Sequence, residues 1–189
     1  MAEPDLMSLK GAFLIAMPEL ADPNFSETVV AMCEHNREGS LGVVVNRLLP
    51  SLHAKEIFSE LEIPHTEAAG NLPIHYGGPV HMNELFILHG PPFGWEATLE
   101  VTPFLAMSNT RDLLEAVAAG EGPETCLIAL GCAGWGPEQV EAEVLQNVWL
   151  NCPADADIAF QLPVEDRWEA AVRKLGIDPA LLSVTAGNA

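Results

Sequence analysis

The scarcest property of this sequence is positive charge. Its 189 residues include 8 lysines and arginines against 27 aspartates and glutamates, which gives a net charge of −19. The basic residues are scattered along the chain, so no basic face is indicated. Proteins that bind DNA or RNA directly generally need such a face to displace counterions from phosphates, and anionic membrane surfaces favour basic proteins too. The composition therefore argues against a nucleic-acid partner and against membrane binding.

Long apolar runs and targeting signals are also lacking. The apolar segment of residues 11–17 is too short for a signal core, and two acidic residues precede the first lysine. No run approaches the length of a membrane span. We expect a cytoplasmic protein with a flexible tail over residues 1–8 and a single domain over residues 9–189.

The usual metal and redox motifs are absent as well. None of the four cysteines forms a CxxC pair, and the sequence contains neither HExxH nor a phosphate-loop motif. A chain of this length with 49% hydrophobic residues can bury a core without disulfides or metals. We therefore expect reduced thiols, no metal site and no cofactor.

What is present is a mixture of strand and helix patterns without strict alternation. Strands are predicted at residues 11–17, 28–35, 41–47, 84–90, 98–108, 124–131, 148–155 and 157–163, with a five-residue hairpin loop at 36–40. Helices are predicted at residues 51–63 (Ser51 as N-cap), 109–120 (Asn109 as N-cap), 136–147, 164–176 and 178–183. Residues 63–73 read as a mobile loop. The early hairpin followed by strand–helix units favours an α+β fold with a mixed sheet.

The most informative stretch is ALGCAGWGPEQVEAEV, residues 129–144, which predicts a strand, a glycine corner and a helix. Cys132 near a helix N-terminus would be an activated nucleophile, or the amides of residues 134–136 would bind an anion. The third alternative is a packed corner with Trp135 as a plug. Neither GxSxG nor GK[ST] is matched, and the glutamates of the following helix oppose phosphate binding.

Other polar residues are weaker candidates. Cys33 and His35 would share one face of a strand, but two further metal ligands with recognisable spacing are missing. Three histidines flank a double-glycine turn and would suit acid–base chemistry, or they are ordinary structural histidines: His75, His81 and His89. Glu141 and Glu143, two positions apart on a helix, do not face each other.

Asn46 and Arg47 end a strand in a chain with few cations. Arg47 either forms an ion pair with a neighbouring carboxylate or anchors an anionic ligand. Both alternatives place a polar side chain at the end of a strand, where folds commonly build their sites.

Four long strings together resemble the YqgE/AlgH family: MPELADPNF, CEHNREGSLGVVVNR, YGGPV and GCAGWGPEQVEAEVLQNVWL. The resemblance spans residues 9–184. It implies a bacterial cytosolic protein whose mixed, bifurcated sheet folds toward a pseudo-barrel with flanking helices, and no established activity. A regulator label in the family follows from a reported link to alginate synthesis. Where the family usually has an aromatic residue this chain has Cys132, and Leu48 stands where a proline often follows Asn-Arg.

We therefore expect a non-enzymatic binding or regulatory protein that acts through a small ligand or a protein partner, not by direct DNA binding. One concave site is expected to be lined by polar side chains and glycine turns, namely Asn46, Arg47, Gly77, Gly78, Gly134, Trp135, Gln139 and Glu143. The alternative is a hydrolase or thiol-dependent enzyme that uses Cys132 at the strand–turn–helix corner. No catalytic residue follows from the sequence.

Overall fold

The computed structural model describes residues 7–183, so most of the predicted tail lies outside the described residues. Within this range the strands are β1 (Ala12–Ala16), β2 (Val29–Asn36), β3 (Gly39–Val44), β4 (Leu48–His53), β5 (Pro73–Tyr76), β6 (Val80–His89), β7 (Thr98–Thr102), β8 (Leu105–Ser108), β9 (Cys126–Trp135) and β10 (Trp149–Pro153). The α-helices are α1 (Ala54–Glu60), α2 (Glu67–Gly70), α3 (Arg111–Ala119), α4 (Gln139–Leu145), α5 (Arg167–Lys174) and α6 (Pro179–Ser183).

The strands form one sheet that forks at β9. Its main order is β10-β1-β2-β3-β9-β6-β8-β7, and β4 and β5 form a side branch. The first half of β9 pairs with β5 through residues 128–130, whereas its last three residues pair with β3. The β5–β9 pair is parallel and the other pairs are antiparallel. The fold is therefore α+β with a mixed, bifurcated sheet, as predicted.

The sheet curls without closing. Strand β7 at one end of the order lies against β2 but pairs only with β8, and β10 ends the other side. Three apolar clusters follow from this curvature. The largest fills the inside of the curl with Phe13, Leu88 and the inward face of α5, which includes Trp168 and Val172. The sheet is therefore an open, curved sheet with flanking helices, and the pseudo-barrel is not closed.

The other two clusters lie on the opposite face of the sheet. One packs α1, α2 and α3 against the β5–β9–β6 branch through Phe58, Ile74 and Leu113. The other packs α4 against β1, β2 and β9 through Val140 and two tryptophans. No helix among residues 7–183 has the length and apolarity needed to cross a bilayer.

Two predictions at the start of the chain were wrong. The first hairpin has a two-residue turn rather than a five-residue loop, because Asn36 pairs directly with Gly39 at a φ of 140°. Ser51 lies in β4, not at a helix start, because residues 48–53 pair with β5. Helix α1 therefore begins at Ala54, where Glu56 accepts a hydrogen bond from the His53 amide in a capping box.

Local assignments were also wrong in three later segments. Residues 63–73 contain α2, whose N-cap Thr66 accepts a hydrogen bond from the Ala69 amide. Helix α3 is preceded by Thr110 as N-cap rather than by Asn109. The segment Asp157–Gln161, predicted as extended, forms a turn of π-helix.

The double glycine before β6 brings two backbones into contact. A Cβ atom at Gly78, where φ is 148°, would overlap the carbonyl group of Cys132, and one at Gly77 would overlap that of Gly131. No other residue type fits such an approach without moving β9. The turn therefore requires glycine for space as well as for conformation.

We expect Gly78→Ala to lower the free energy of unfolding by about 2–4 kcal/mol, because the new methyl group must push β9 out of register with its partners. Urea unfolding followed by circular dichroism measures the change. Gly94→Ala is the matched control, since a Cβ there meets nothing within 4 Å and φ is not positive. Equal stability of the two variants would contradict the packing argument.

Candidate functional site

Cys132 lies inside a strand, so the corner predicted for it was wrong. Strand β9 continues through the motif to Trp135, and the chain turns only at residues 136–138, where Glu138 has a φ of 61°. The side chain of Cys132 is 1% exposed. Burial raises the pKa of its thiol to about 11, and the nearby charge of Glu84 adds to the effect. This environment disfavours the thiolate instead of stabilising it.

Glu143 on α4 is the acceptor at the centre of the predicted site. Its Oε2 accepts hydrogen bonds from the indole Nε1 atoms of Trp135 at 2.9 Å and Trp149 at 2.8 Å. Its Oε1 accepts from Gln139 Nε2 at 3.0 Å, and Gln139 Oε1 in turn accepts from the Gly136 amide. One carboxylate therefore ties the end of β9, the start of β10 and the first turns of α4 together.

The two tryptophans carry a third aromatic ring. Phe25 stacks on Trp135 with ring centroids 6.1 Å apart and meets Trp149 edge-on at 5.5 Å. Phe25 belongs to residues 20–28, the segment between β1 and β2, which we call the braced loop. The Glu143 cluster therefore holds this loop from one side.

Asn46 and Arg47 hold the braced loop from the other side. Asn46 donates to the Glu27 carbonyl at 2.8 Å and accepts from the Val29 amide. Arg47 donates to three carbonyls of the loop, those of Pro23, Asn24 and Ser26, at 2.7–2.9 Å. Its guanidinium also lies over the Tyr76 ring at 5.8 Å. The donors of Arg47 therefore serve loop carbonyls rather than a carboxylate.

The eight predicted residues fall into three groups. Asn46 and Arg47 bind the backbone of the braced loop, and Trp135, Gln139 and Glu143 support Phe25. The glycines pack against main chain or side chains instead of opening space: Gly77 and Gly78 lie on β9, and Gly134 faces Val80 at 3.6 Å. Sequence reasoning missed Phe25 and Trp149. The sequence signal that could have pointed to them is their residue type, because aromatic residues form only 6% of the chain.

His35 and Glu141 form a second polar pair beside α4. The Leu9 amide donates to His35 Nδ1 at 2.8 Å, so the other ring nitrogen, Nε2, carries the hydrogen that is donated to Glu141 Oε1 at 2.8 Å. With both nitrogens engaged, His35 has no lone pair for a metal shared with Cys33. Within residues 7–183, no three His, Cys, Asp or Glu side chains are placed to hold a metal ion.

The three histidines near the double glycine do not converge. His75 lies in β5, whereas His81 and His89 stand at opposite ends of β6. His75 is 4% exposed, and burial together with the charge of Arg167 lowers its pKa to about 4. Arg167 is itself buried and donates to the Val45 and Leu162 carbonyls, which fastens α5 near the fork of the sheet. His75 and Arg167 therefore belong to the core.

Removing the central acceptor should cost stability. We expect Glu143→Ala to lower the free energy of unfolding by about 2–3 kcal/mol, because two indole N–H groups lose a charged acceptor. Glu143→Gln should cost about half as much, since a carbonyl oxygen in the place of Oε2 still accepts from both indoles but without the charge. Thermal and urea unfolding measure both variants. Glu121→Ala, an exposed acid at the end of α3, is the control and should leave stability unchanged.

The buried thiol should be slow to alkylate. With its pKa raised from 9.0 to about 11, Cys132 has about a hundredfold less thiolate at neutral pH than a model thiol. We therefore expect iodoacetamide at pH 7 to modify Cys132 at least about a hundredfold more slowly than glutathione, as followed by peptide mass spectrometry. Unfolding in urea should restore the ordinary rate. Faster alkylation in the folded protein than in urea would contradict this expectation.

Known proteins resemble the chain over nearly all of its length. A family model described as AlgH-like matches residues 13–180. A UPF0301 protein of Desulforapulum autotrophicum is 48% identical over 169 residues, covering 89% of each chain. Another, from Pseudomonas aeruginosa strain UCBPP-PA14, is 46% identical and covers 96% of each chain.

Solved structures agree with this assignment. The solution structure of the AlgH protein from Pseudomonas aeruginosa has a TM-score of 0.79, 44% identity and full coverage of both chains. A protein of Corynebacterium diphtheriae at 20% identity has a TM-score of 0.70 over 92% of this chain and 89% of its own, which shows the shared fold. The chain belongs to the AlgH-like family.

Proposed function

We propose that this protein is a binding or regulatory protein that presents the braced loop, residues 20–28, to a protein partner. One observation carries the proposal: two separate sets of side chains hold the loop, one by hydrogen bonds to its backbone and the other by ring contacts with Phe25. Asn46 and Arg47 bind its backbone, and the Glu143 cluster seats Phe25. So much support for an exposed connection exceeds what joining β1 to β2 requires.

The loop itself has the properties of a recognition surface. Asp22, Pro23, Asn24, Ser26 and Glu27 are all exposed. Glu27 has a φ of 51°, a conformation that costs free energy in a residue other than glycine. Strain of this kind is kept where surrounding contacts hold it, and it is concentrated at functional positions. A loop held in one conformation also loses less entropy when it binds.

The geometry gives less support to the other functions considered. The candidate side chains donate to or accept from one another, which leaves few free groups for a small ligand. The thiol-enzyme alternative lacks an activated nucleophile, because burial raises the pKa values of all four cysteines. The net charge of −19 supports action through a protein rather than through direct contact with DNA.

Site-specific photocrosslinking in the native host tests the proposal. A benzoylphenylalanine at Ser26, whose side chain is exposed, should give one discrete adduct with a partner protein. The same group at Ser59, on the exposed side of α1, is the positional control and should not give it. Arg47→Met combined with the Ser26 probe should reduce the adduct several-fold, because the loop loses three hydrogen bonds while its surface residues are unchanged.

Two outcomes would count against the proposal. Identical adducts from both positions would indicate random encounter. Absence of any adduct, together with a purified protein whose melting temperature rises with a metabolite, would replace the protein partner with a small ligand. A ligand at about 100 times its dissociation constant adds about 2.7 kcal/mol, which is easily detected.

A further inference from the structure

A buried chain of hydrogen bonds on β6, β7 and β8 is not used by the proposed function. His89 Nδ1 donates to the Gly90 carbonyl at 2.8 Å, so Nε2 is the free acceptor of the ring. Ser108 Oγ lies 2.9 Å from Nε2 and donates to it. Thr98 Oγ1 then donates to Ser108 Oγ at 3.1 Å. The direction of each hydrogen bond in this chain therefore follows from the one before it.

This order is that of an activated serine. A hydroxyl within hydrogen-bonding distance of a neutral imidazole, whose other nitrogen is oriented by an acceptor, is the arrangement that serine nucleophiles require. Here a backbone carbonyl takes the orienting position. We propose that Ser108 is a nucleophile and His89 its general base, for acyl transfer from a carboxylic ester to Ser108 and then to water.

The backbone beyond Ser108 provides donors for the developing oxyanion. The amides of Asn109, Thr110 and Arg111 follow the serine at the start of the nine-residue helix α3, and none of them donates to a backbone carbonyl or side chain within the described residues. In serine hydrolases the amide directly after the nucleophile commonly has this role. These amides lie in the turn directly after β8, so the end of β8 positions both them and Ser108.

A groove of about 300 Å³ lies beside the turn that follows Ser108. Its walls include Ile87, which pairs with Ser108, and residues 109–111; Leu61, Leu85 and Leu114 add apolar surface, and Asn83 and Glu84 add polar surface. The volume suits a short acyl chain. The groove therefore gives a place for the apolar part of an ester whose carbonyl faces Ser108.

Residues 91–97 follow His89 and Gly90, and Phe93 of this segment meets the His89 ring edge-on at 5.9 Å. His89 is 0% and Ser108 3% exposed. Among the described residues the segment has one hydrogen bond to the rest of the chain, from the Glu96 amide to Asp112 on α3, and Trp95 packs against the cluster around Phe58. Segments with so few outside hydrogen bonds open at low free-energy cost. Access to Ser108 requires residues 91–97 to swing outward, while Gly90 stays bonded to Thr125 and keeps orienting His89.

The reaction balances without a further reagent. Ser108 Oγ attacks the ester carbonyl carbon while its proton moves to His89 Nε2. The tetrahedral intermediate then expels the alcohol, which takes that proton, and an acyl ester remains on Ser108. Water then repeats the sequence: its oxygen bonds to the acyl carbon and its proton moves to His89 Nε2. The bond between the acyl carbon and Ser108 Oγ breaks, Oγ takes that proton, and the carboxylic acid is released as the second product.

A small fluorophosphonate is the probe that tests this inference. Ser108 Oγ should form a bond to phosphorus as fluoride leaves, and peptide mass spectrometry of the full-length protein should locate the adduct. The exposed Ser26 in the same molecule is the internal control, because it has no histidine partner. We expect at least about tenfold more adduct at Ser108 than at Ser26, and none at position 108 in Ser108→Ala.

A second variant keeps the test decisive if the alanine change disturbs folding. Phe93→Ala removes the ring over His89 without touching the dyad, and labelling of Ser108 should become several-fold faster. Labelling should also persist to a lower pH than an ordinary histidine base allows, because burial lowers the pKa of His89. No adduct at Ser108 in the wild type and in Phe93→Ala, or equal labelling of Ser108 and Ser26, would overturn the inference. It goes beyond the binding role, and Ser108 and His89 lie outside the braced loop, so the two proposals fail separately.

Discussion

The structure depends on one strand that serves three neighbours. Strand β9 pairs with β6 along one edge, and along the other with β5 first and β3 afterwards. Strands β5 and β3 can share one edge of β9 only if their backbones approach it closely, and this explains the small residues along β9. Ala129 lies under Gly77, and Gly131, at a φ of 74°, has no room for a side chain between Gly78 and Val80. Glycine and alanine in this strand are therefore demanded by the fork rather than by flexibility.

The braced loop inherits its position from the same strand. Trp135 is the last residue of β9, and the turn that follows starts α4, which carries Glu143 back toward its indole. A single carboxylate oxygen then receives two indole donors, so the end of β9 and the beginning of β10 cannot move independently. Phe25 rests on both rings. Displacement of β9 at the double glycine would consequently be felt at the loop through ring packing and hydrogen bonds.

Elements with a local sequence signal were predicted, whereas elements that form only by pairing with a distant strand were missed. Helix α5 was predicted within residues 164–176, because its apolar periodicity and the glycine that follows it are local signals. Strand β4 was read as the start of a helix, because only pairing with β5 makes residues 48–53 extended. The corner at Cys132 was wrong for the same reason: glycines in GCAG indicate a turn locally, whereas the fork uses them inside a strand.

The site residues show the same division. Asn46, Arg47, Gln139 and Glu143 were proposed from their place at element ends beside glycine turns. In the structure Asn46 and Arg47 bond to the braced loop and Glu143 bonds to two tryptophans, while a shared concave site stays a prediction. Their partners could not be identified, since the bonds from Arg47 to Asn24 and from Trp149 to Glu143 depend on tertiary geometry. His89 was one of three histidines considered for acid–base chemistry, but its partner Ser108 could not be identified, because the two residues are 19 positions apart in two strands.

Scarcity of cations bears on the proposed protein partner. Arg111, Arg173 and Lys174 are paired with carboxylates, and Arg47 and Arg167 donate to backbone carbonyls. The acids greatly outnumber these cations, so most carboxylates have no cation to pair with and remain in solvent. The braced loop adds Asp22 and Glu27 to this surface while Arg47, its nearest cation, is turned inward to the loop backbone. A partner that recognises the loop must therefore bring its own positive charge, and rising salt should slow its association before it weakens the apolar contacts.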